Sequence, residues 1–214
     1  MPVPIKIDFV SDVSCPWCVI GLRALEEALL RLGNSVSAQL HFQPFELNPQ
    51  MPLAGQDINE HLANKYGLSS AQLAANAEAL RVRGAELGFE FRMAQRTRVY
   101  NTFDAHRLLH WAELEGRGLA LKHALLSAYF TDGVDVSAHD RLISLADSVG
   151  LDAGRAREIL SSSTYAAEVR AQQRFYAEKG IRAVPAVILN DQYLISGGQP
   201  IEVFEQALRQ AAGL

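Results

Sequence analysis

The sequence contains little cysteine, few tryptophans and no long apolar run. Two cysteines among 214 residues exclude the framework of several disulfides that holds small secreted domains together. No lysine- and arginine-rich run occurs and the net charge is −4, which disfavours nucleic acid and anionic membranes as partners. No apolar run is as long as a membrane span, so we expect no transmembrane segment.

The N-terminal residues also lack the features of an export signal. The stretch "MPVPIKIDFVSDV" has no basic segment followed by an apolar one, so we expect a cytoplasmic protein. Hydrophobic residues make up 49% of the chain and charged residues 21%, which is enough apolar material for an ordinary globular core. In a reducing cytoplasm a structural disulfide is not expected, so the two cysteines need another explanation.

Hydrophobic patterning predicts a β-α-β unit at the start of the chain. Apolar and polar residues alternate over 4–10, as in a strand with one buried face. Residues 15–32 carry an apolar stripe at helical spacing. Ser14 is expected to cap this helix and Pro16 to occupy its first turn. A second segment, 35–47, alternates over 36–42 and predicts another strand, whose regular pairing Pro44 should limit.

Helical patterns dominate the middle of the chain, and strands return near its end. Residues 57–180 contain a series of amphipathic segments closed by glycines or serine clusters, which predicts several short helices. Two strand-like segments then flank Asn190-Asp191, a hairpin-turn pair, and a final amphipathic helix follows. The order predicts an α/β protein in which residues 1–56 and 181–214 form one discontinuous domain and residues 57–180 form an inserted helical domain.

The two cysteines, Cys15 and Cys18, form a CPWC motif at the start of the first predicted helix. Such a pair beside a β-α-β unit in a cytosolic protein predicts redox chemistry. A helix N-terminus presents free N–H groups and the positive end of the helix dipole, which favour a thiolate over a thiol at Cys15. Cys18 lies one turn further on, where we expect it to be more buried and to resolve a mixed disulfide formed at Cys15.

Two other interpretations of the cysteine pair are open. A structural zinc site needs four ligands, and His106 and His110, four residues apart, would have to supply the other two from a distant part of the chain. Alternatively both cysteines are inert core residues, since free cysteine is often buried. The placement at a helix start, with Pro16 between the cysteines, favours chemistry over both.

A second feature is Pro185, which stands at the head of a predicted strand in "RAVPAVIL". An X-Pro bond at this position can be cis at modest cost, and a trans proline at a strand start is equally compatible with the sequence. Because proline has no N–H, the backbone edge at Val184 stays free to pair with an extended peptide.

These motifs together resemble the DsbA-like branch of the thioredoxin superfamily, in particular its FrnE-like dithiol oxidoreductases. The stretches that carry the resemblance are "DFVSDVSCPWCVIGL", "NTFDAHRLLHWA" and "GIRAVPAVILNDQYLISGGQP". The resemblance implies a thioredoxin fold with a large helical domain inserted between its β-α-β and β-β-α halves. It also implies a cis bond before Pro185, packed against the CPWC motif.

The same resemblance assigns roles to the motif residues. It implies that Cys15 attacks, that Cys18 resolves, and that Pro16 and Trp17 tune the potential of the pair. Val184 is implied to pair with the backbone of a bound substrate. No metal or organic cofactor is implied, because the redox-active group is the Cys15–Cys18 disulfide itself.

Kappa-class glutathione transferases and 2-hydroxychromene-2-carboxylate isomerases share the inserted helical domain. Those enzymes use a serine-type site, bind glutathione, and carry an Asp-Arg pair in a late loop after glycine. Here that loop reads "SGGQPIE", with Gln199-Pro200 in place of the pair. This departure, together with the two cysteines, favours exchange with protein dithiols over glutathione chemistry.

Other polar residues are weaker candidates. His106 is expected on a helix that faces the cleft, where a cationic ring near Cys15 would favour its thiolate, or it is an ordinary core residue. Asp8 and Glu46 are candidates for a buried carboxylate that serves the resolving thiol, although a solvent-facing Asp8 is the simpler expectation. Trp17 is expected to be exposed.

The sequence therefore predicts a cytoplasmic thiol–disulfide oxidoreductase or isomerase that acts on protein thiols and disulfides or on a small thiol, as a monomer or a homodimer. One rival is a glutathione-linked isomerase or transferase that acts on small molecules. The other is a binding protein whose CPWC motif has no catalytic role.

Overall fold

The fold is built around one four-stranded sheet, as seen in a computed structural model that describes residues 1–214. The strands are β1 (Val3–Ser11), β2 (Val36–Pro44), β3 (Gln56–Asp57), β4 (Arg98–Val99), β5 (Ala186–Leu189) and β6 (Tyr193–Ser196). The main sheet has the order β2-β1-β5-β6, with β1 parallel to β2 and antiparallel to β5. This arrangement confirms the α/β class and the thioredoxin-like β-α-β and β-β-α halves.

Nine helices surround this sheet. They are α1 (Pro16–Leu32), α2 (Ile58–Tyr66), α3 (Ser70–Glu86), α4 (Phe103–Leu114), α5 (Gly118–Phe130), α6 (His139–Ser148), α7 (Ala153–Leu160), α8 (Ala166–Glu178) and α9 (Ile201–Ala212). Helices α2 to α8 come between the two halves of the sheet, where the sequence predicted an all-helical segment. The sequence did not predict the two-stranded ribbon of β3 and β4 within it, because each strand has only two residues.

The two faces of the sheet have different neighbours. Ile5, Ile7 and Phe9 of β1 belong to the main core together with buried residues of α1, α4, α5 and α9. Val10, on the opposite face, packs in a small cluster with Tyr176 of α8. Since side chains alternate along a strand, Ser11 lies on the side of α1 and α5, whereas Asp8 lies on the side of α8.

The predicted hairpin turn is present, whereas the predicted cap of α1 is not. Asn190 and Asp191 have positive φ values of 51° and 57°, as required by the predicted tight hairpin turn between β5 and β6. Ser69 forms a capping box with Gln72 at the start of α3. The prediction that Ser14 caps α1 is wrong. The cap position is Cys15, whose side chain accepts no capping bond, and the Ser14 hydroxyl instead donates to Asp12.

None of the helices is both long and apolar enough to cross a membrane.

Candidate functional site

The CPWC motif forms a turn that opens α1. The backbone N–H of Cys15 donates to the carbonyl of Asp12 at 3.3 Å, and the N–H of Cys18 donates to the carbonyl of Cys15 at 3.1 Å. Pro16 is the first residue of the helix, where its missing N–H costs no hydrogen bond. The first turn of α1 holds no acidic residue, so the positive end of the helix dipole is not neutralised locally.

The two cysteines are free thiols with different access to solvent. Cys15 is 3% exposed and Cys18 is fully buried, which confirms that Cys18 is the more buried of the two. Cys15 lines a cavity of about 1240 Å³ that Cys18 does not reach. Trp17, which also lines it, is 45% exposed, as the sequence predicted. A substrate in the cavity therefore meets Cys15 first.

Val184 and Pro185 lie directly against this turn. The Cys15 Sγ atom is 3.5 Å from the carbonyl oxygen of Val184, to which it donates. The Val184–Pro185 peptide bond is cis, which confirms the expectation from the family resemblance. The proline packs so closely on α1 that a Cβ atom added to Gly21 would lie 3.0 Å from Pro185 Cγ.

Gly198 allows a second close approach to the motif. A Cβ atom at this position would lie 2.9 Å from the backbone oxygen of Trp17 and 3.2 Å from Ile20 Cγ2. The loop "SGGQPIE" is therefore packed against α1.

Cys18 is in an environment that keeps it protonated. Burial, together with the hydrogen bond and charge of Cys15, raises the pKa of Cys18 well above its ordinary value. The positive charge of Lys122 and the backbone of Asp12 act in the opposite direction. Cys18 is thus a thiol at neutral pH.

The Asp12 carboxylate holds the residues before the CPWC turn in place through hydrogen bonds. It is fully buried and accepts from the backbone N–H of Ser14 at 3.2 Å, the Ser14 hydroxyl at 3.0 Å and the backbone N–H of Leu47 at 2.6 Å. Burial raises the pKa of Asp12, but the hydrogen bond and charge of His106 and the two N–H donors outweigh burial and lower it overall. Asp12 therefore stays ionised and joins the segment after β2 to the residues before Cys15.

His106 contacts the Asp12 carboxylate and not the Cys15 thiol. Its Nε2 atom lies 3.0 Å from the carbonyl oxygen of Phe45 and 3.5 Å from Asp12 Oδ1. Both neighbours are acceptors, so Nε2 carries the hydrogen. No hydrogen bond joins His106 to Cys15, and the predicted direct role at the thiol is not supported. The ring is 3% exposed and acts on the turn through Asp12.

Neither predicted carboxylate is positioned to serve Cys18. Asp8 lies on the α8 side of the sheet, where its carboxylate accepts from Gln43 at 2.7 Å and contacts Lys6 at 2.9 Å. It is buried at 2% exposure, so the expectation of a solvent-facing Asp8 is wrong. Glu46 lines the cavity but pairs with Arg170 at 2.5 Å.

The inserted helices cover the cavity beside Cys15. Residues of α2 and α3 form much of its largely apolar lining, and Lys65, Arg96 and Arg182 add positive charge. Two buried polar atoms of lining residues have no hydrogen-bond partner, namely Arg96 Nε and Glu46 Oε1. The cavity thus combines apolar surface with positively charged side chains.

The zinc interpretation lacks ligands. No group of three or more His, Cys, Asp or Glu side chains is arranged to hold a metal ion. His106 contacts Phe45 and Asp12, and the His110 ring packs against Tyr165 at a tilt of 53° with centroids 5.1 Å apart.

Three residues of the site were missed in the sequence, namely Asp12, Arg96 and Lys122. Lys122 is the one that left a signal, because only Lys122 and His123 interrupt the apolar stretch "LALKHALL", and a helix that is apolar on nearly all sides is buried. No sequence pattern marks Asp12 or Arg96, since their burial depends on contacts across the fold.

Comparison with known proteins agrees with this geometry. A family model described as "DSBA-like thioredoxin domain" matches residues 6–209. A probable DsbA oxidoreductase from Streptomyces coelicolor is 38% identical, with a TM-score of 0.92 over 98% of this chain and 90% of its own. Two structures share the fold at lower identity. A 2-hydroxychromene-2-carboxylate isomerase is 17% identical (TM-score 0.69, 97% and 98% covered). The cytosolic disulfide reductase DsbM from Pseudomonas aeruginosa with GSH is 18% identical (TM-score 0.66, 98% and 100% covered).

Proposed function

The chain belongs to the DSBA-like thioredoxin domain family, and from this premise we propose that it is a thiol–disulfide oxidoreductase that exchanges disulfides with protein substrates through Cys15 and Cys18. The observation that carries the proposal is the asymmetry of the two sulfurs. Cys15 opens onto the cavity at a helix N-terminus, and Cys18 is fully buried one turn behind it.

The asymmetry fits two successive exchange steps. In the first, the Cys15 thiolate attacks a substrate disulfide, and one substrate sulfur leaves as a thiol. In the second, Cys18 attacks Cys15 Sγ, the mixed disulfide breaks, and the second substrate thiol is released. The products are a Cys15–Cys18 disulfide and a substrate reduced by two electrons. The reverse sequence oxidises a substrate dithiol, and the reduction potential of the pair sets the direction.

The surroundings of Cys15 support a protein substrate. Val184 precedes a proline, its carbonyl accepts from the Cys15 thiol, and it makes no backbone–backbone hydrogen bond. An extended peptide can add to this edge as a strand. The cavity under α2 and α3 is large and mostly apolar, which suits the side chains of an unfolded or partly folded chain. Its size also exceeds what a single small thiol would fill.

A glutathione-linked activity is the second candidate function. It is favoured by the shared fold with an isomerase and with a reductase described with GSH, and by the positive charge of Lys65, Arg96 and Arg182 in the cavity. Against it, Gln199 and Pro200 replace the Asp-Arg pair, and the Gln199 amide donates to the Ser196 carbonyl at 2.8 Å. Calorimetry with glutathione separates the candidates, because tight binding favours the second.

A trapping experiment tests the proposal. The Cys18→Ala variant keeps the attacking thiol and loses the resolving one, so we expect the reduced variant to accumulate a stable mixed disulfide between Cys15 and a model protein disulfide. Non-reducing electrophoresis with mass spectrometry of the linked peptide measures this. The matched control is Cys15→Ala, which should trap nothing. Adducts of glutathione alone on Cys18→Ala would contradict the protein-substrate proposal.

A cytoplasmic location is part of the proposal. The DsbM neighbour is named a cytosolic disulfide reductase, which supports it. In such a compartment glutathione keeps most thiols reduced, so a midpoint potential near about −270 mV would make the protein a reductant there and one near about −120 mV an oxidant.

A further inference from the structure

Lys122 of α5 is a fully buried lysine inside the main core. Its Nζ atom donates to the Ser11 hydroxyl at 2.9 Å and lies 5.6 Å from the centroid of the Phe42 ring. Ser11 is the last residue of β1 and is itself fully buried. No carboxylate lies within 4.0 Å of this amine, since Lys122 forms none of the salt bridges in the structure.

A buried amine without an acidic partner is not expected to stabilise the folded protein. Removing an ammonium group from water is costly, and a hydrophobic residue of similar shape usually serves a core as well or better. The buried carboxylate near the turn has a direct partner, since Asp12 lies 3.5 Å from His106. Lys122 has one hydroxyl and one aromatic ring, so its charge is largely uncompensated by neighbours in direct contact.

The group that needs this charge is Cys18. Ser11, which accepts from the amine, directly precedes Asp12. The Asp12 carbonyl accepts from the Cys15 N–H, and the Cys15 carbonyl accepts from the Cys18 N–H, so the amine is held at the end of β1 that leads into the CPWC turn. When Cys18 resolves a mixed disulfide its sulfur must carry negative charge in a place that water does not reach. The groups whose charges act on Lys122 are Cys18, Asp12, Cys15 and Glu113, of which Cys18 has the largest effect. Burial is the largest effect and lowers the pKa of Lys122 below its ordinary value, and these four groups oppose that lowering.

We propose that Lys122 is a positioning residue whose buried ammonium stabilises the Cys18 thiolate during resolution of the mixed disulfide. This inference rests on the proposed function, since it concerns the second of the two exchange steps. It assigns a part of the redox centre to α5 of the helical insertion, whereas both cysteines lie on α1.

The order of events follows from the charges. In the dithiol state the Cys15 thiolate opposes ionisation of Cys18. Once Cys15 is bonded to substrate its charge is gone, and Lys122 becomes the dominant charge acting on Cys18. The step is Cys18–SH + Cys15–S–S–R → Cys15–S–S–Cys18 + R–SH. The Cys18 proton ends on the departing sulfur, and Lys122 keeps its own proton throughout.

The two steps can be timed separately with 5,5′-dithiobis(2-nitrobenzoic acid). Attack by Cys15 releases one coloured thiolate, and resolution by Cys18 releases the second. In the Lys122→Met variant we expect the second release to slow by about tenfold or more at neutral pH, whereas the first changes by less than about threefold. The half-maximal rate of the second release should move to higher pH. Lys179→Met, an exposed lysine on the far side of the sheet, is the charge-matched control.

A purely structural role for Lys122 predicts a different result for Lys122→Met. Methionine fills the same space without an unpaired charge, so we expect the thermal midpoint of Lys122→Met to be unchanged or raised. Ser11→Ala removes only the hydroxyl that accepts from Lys122 and should slow the second release less. If wild type shows both releases and Lys122→Met shows the same second rate and pH profile, the inference is wrong and the proposed function stands. If wild type shows no second release, both are wrong.

Discussion

Replacing Cys15 by serine is expected to abolish disulfide exchange, with a loss on the order of a thousandfold or more in the rate of reduction of a model protein disulfide. The hydroxyl of serine is neither ionised at neutral pH nor a sulfur that can form a disulfide. Cys15 is the sulfur that opens onto the cavity, and Cys18 is too deeply buried to replace it. Turnover in the presence of excess dithiothreitol measures the effect.

The serine variant also separates the two candidate functions. Serine is nearly isosteric with cysteine, so its thermal midpoint should stay close to that of wild type, and loss of activity would not reflect unfolding. The family resemblance implies a serine-type site in the glutathione-linked enzymes. A Cys15→Ser variant that keeps or gains glutathione-dependent isomerase or transferase activity would therefore contradict protein dithiol exchange.

Replacing Asp12 by alanine is expected to cost about 3–5 kcal/mol of folding free energy. The change removes a fully buried carboxylate and leaves the N–H groups of Ser14 and Leu47 and the Nε2–H of His106 without that acceptor. Urea unfolding followed by circular dichroism measures the cost. Asp152→Ala is the matched control. Asp152 accepts from the backbone of Arg155 at the start of α7 in an exposed position, where loss of a cap costs about 1 kcal/mol.

The contribution of Asp12 should also depend on pH. Its pKa in the folded protein lies below the ordinary value of 3.8, so the folded state binds this proton less tightly than the unfolded state does. The stabilisation is complete above that ordinary value and is lost as the pH falls through the folded-state pKa. The difference in stability between wild type and Asp12→Ala should therefore shrink in acid. An equal difference at all pH values, or a cost no larger than that of Asp152→Ala, would contradict this role.

Much of the fold could be predicted from the sequence because its signals are local. Period-two alternation gave β1 and β2, the Asn190-Asp191 pair gave the β5–β6 hairpin, and glycines and capping residues gave the helix ends. The features that the sequence did not predict correctly also involve short segments. The ribbon of β3 and β4 is too short to have a period. Ser14 has the chemistry of a cap, but its hydroxyl is taken by Asp12, which no spacing rule anticipates.

Some residues of the site could likewise be predicted from the sequence, and others could not. The CPWC motif, Val184 and Pro185 could be predicted because each is recognised from residues that are neighbours in the sequence. Asp8 was misjudged because alternation places it on a face of the sheet without saying what covers that face, and α8 buries it. Asp12, His106 and Lys122 come from three separate segments, and only tertiary packing brings a carboxylate, an imidazole and an amine beneath one turn.

The central claim is that Cys15 and Cys18 form one redox couple. The direct measurement is to equilibrate the protein in glutathione buffers of graded potential, block free thiols with an alkylating reagent, and determine the cysteine linkage by mass spectrometry. The account predicts a single two-electron transition from two alkylated cysteines to an intramolecular Cys15–Cys18 disulfide. Persistent glutathione on Cys15 beside an alkylated Cys18, at every potential, would contradict it.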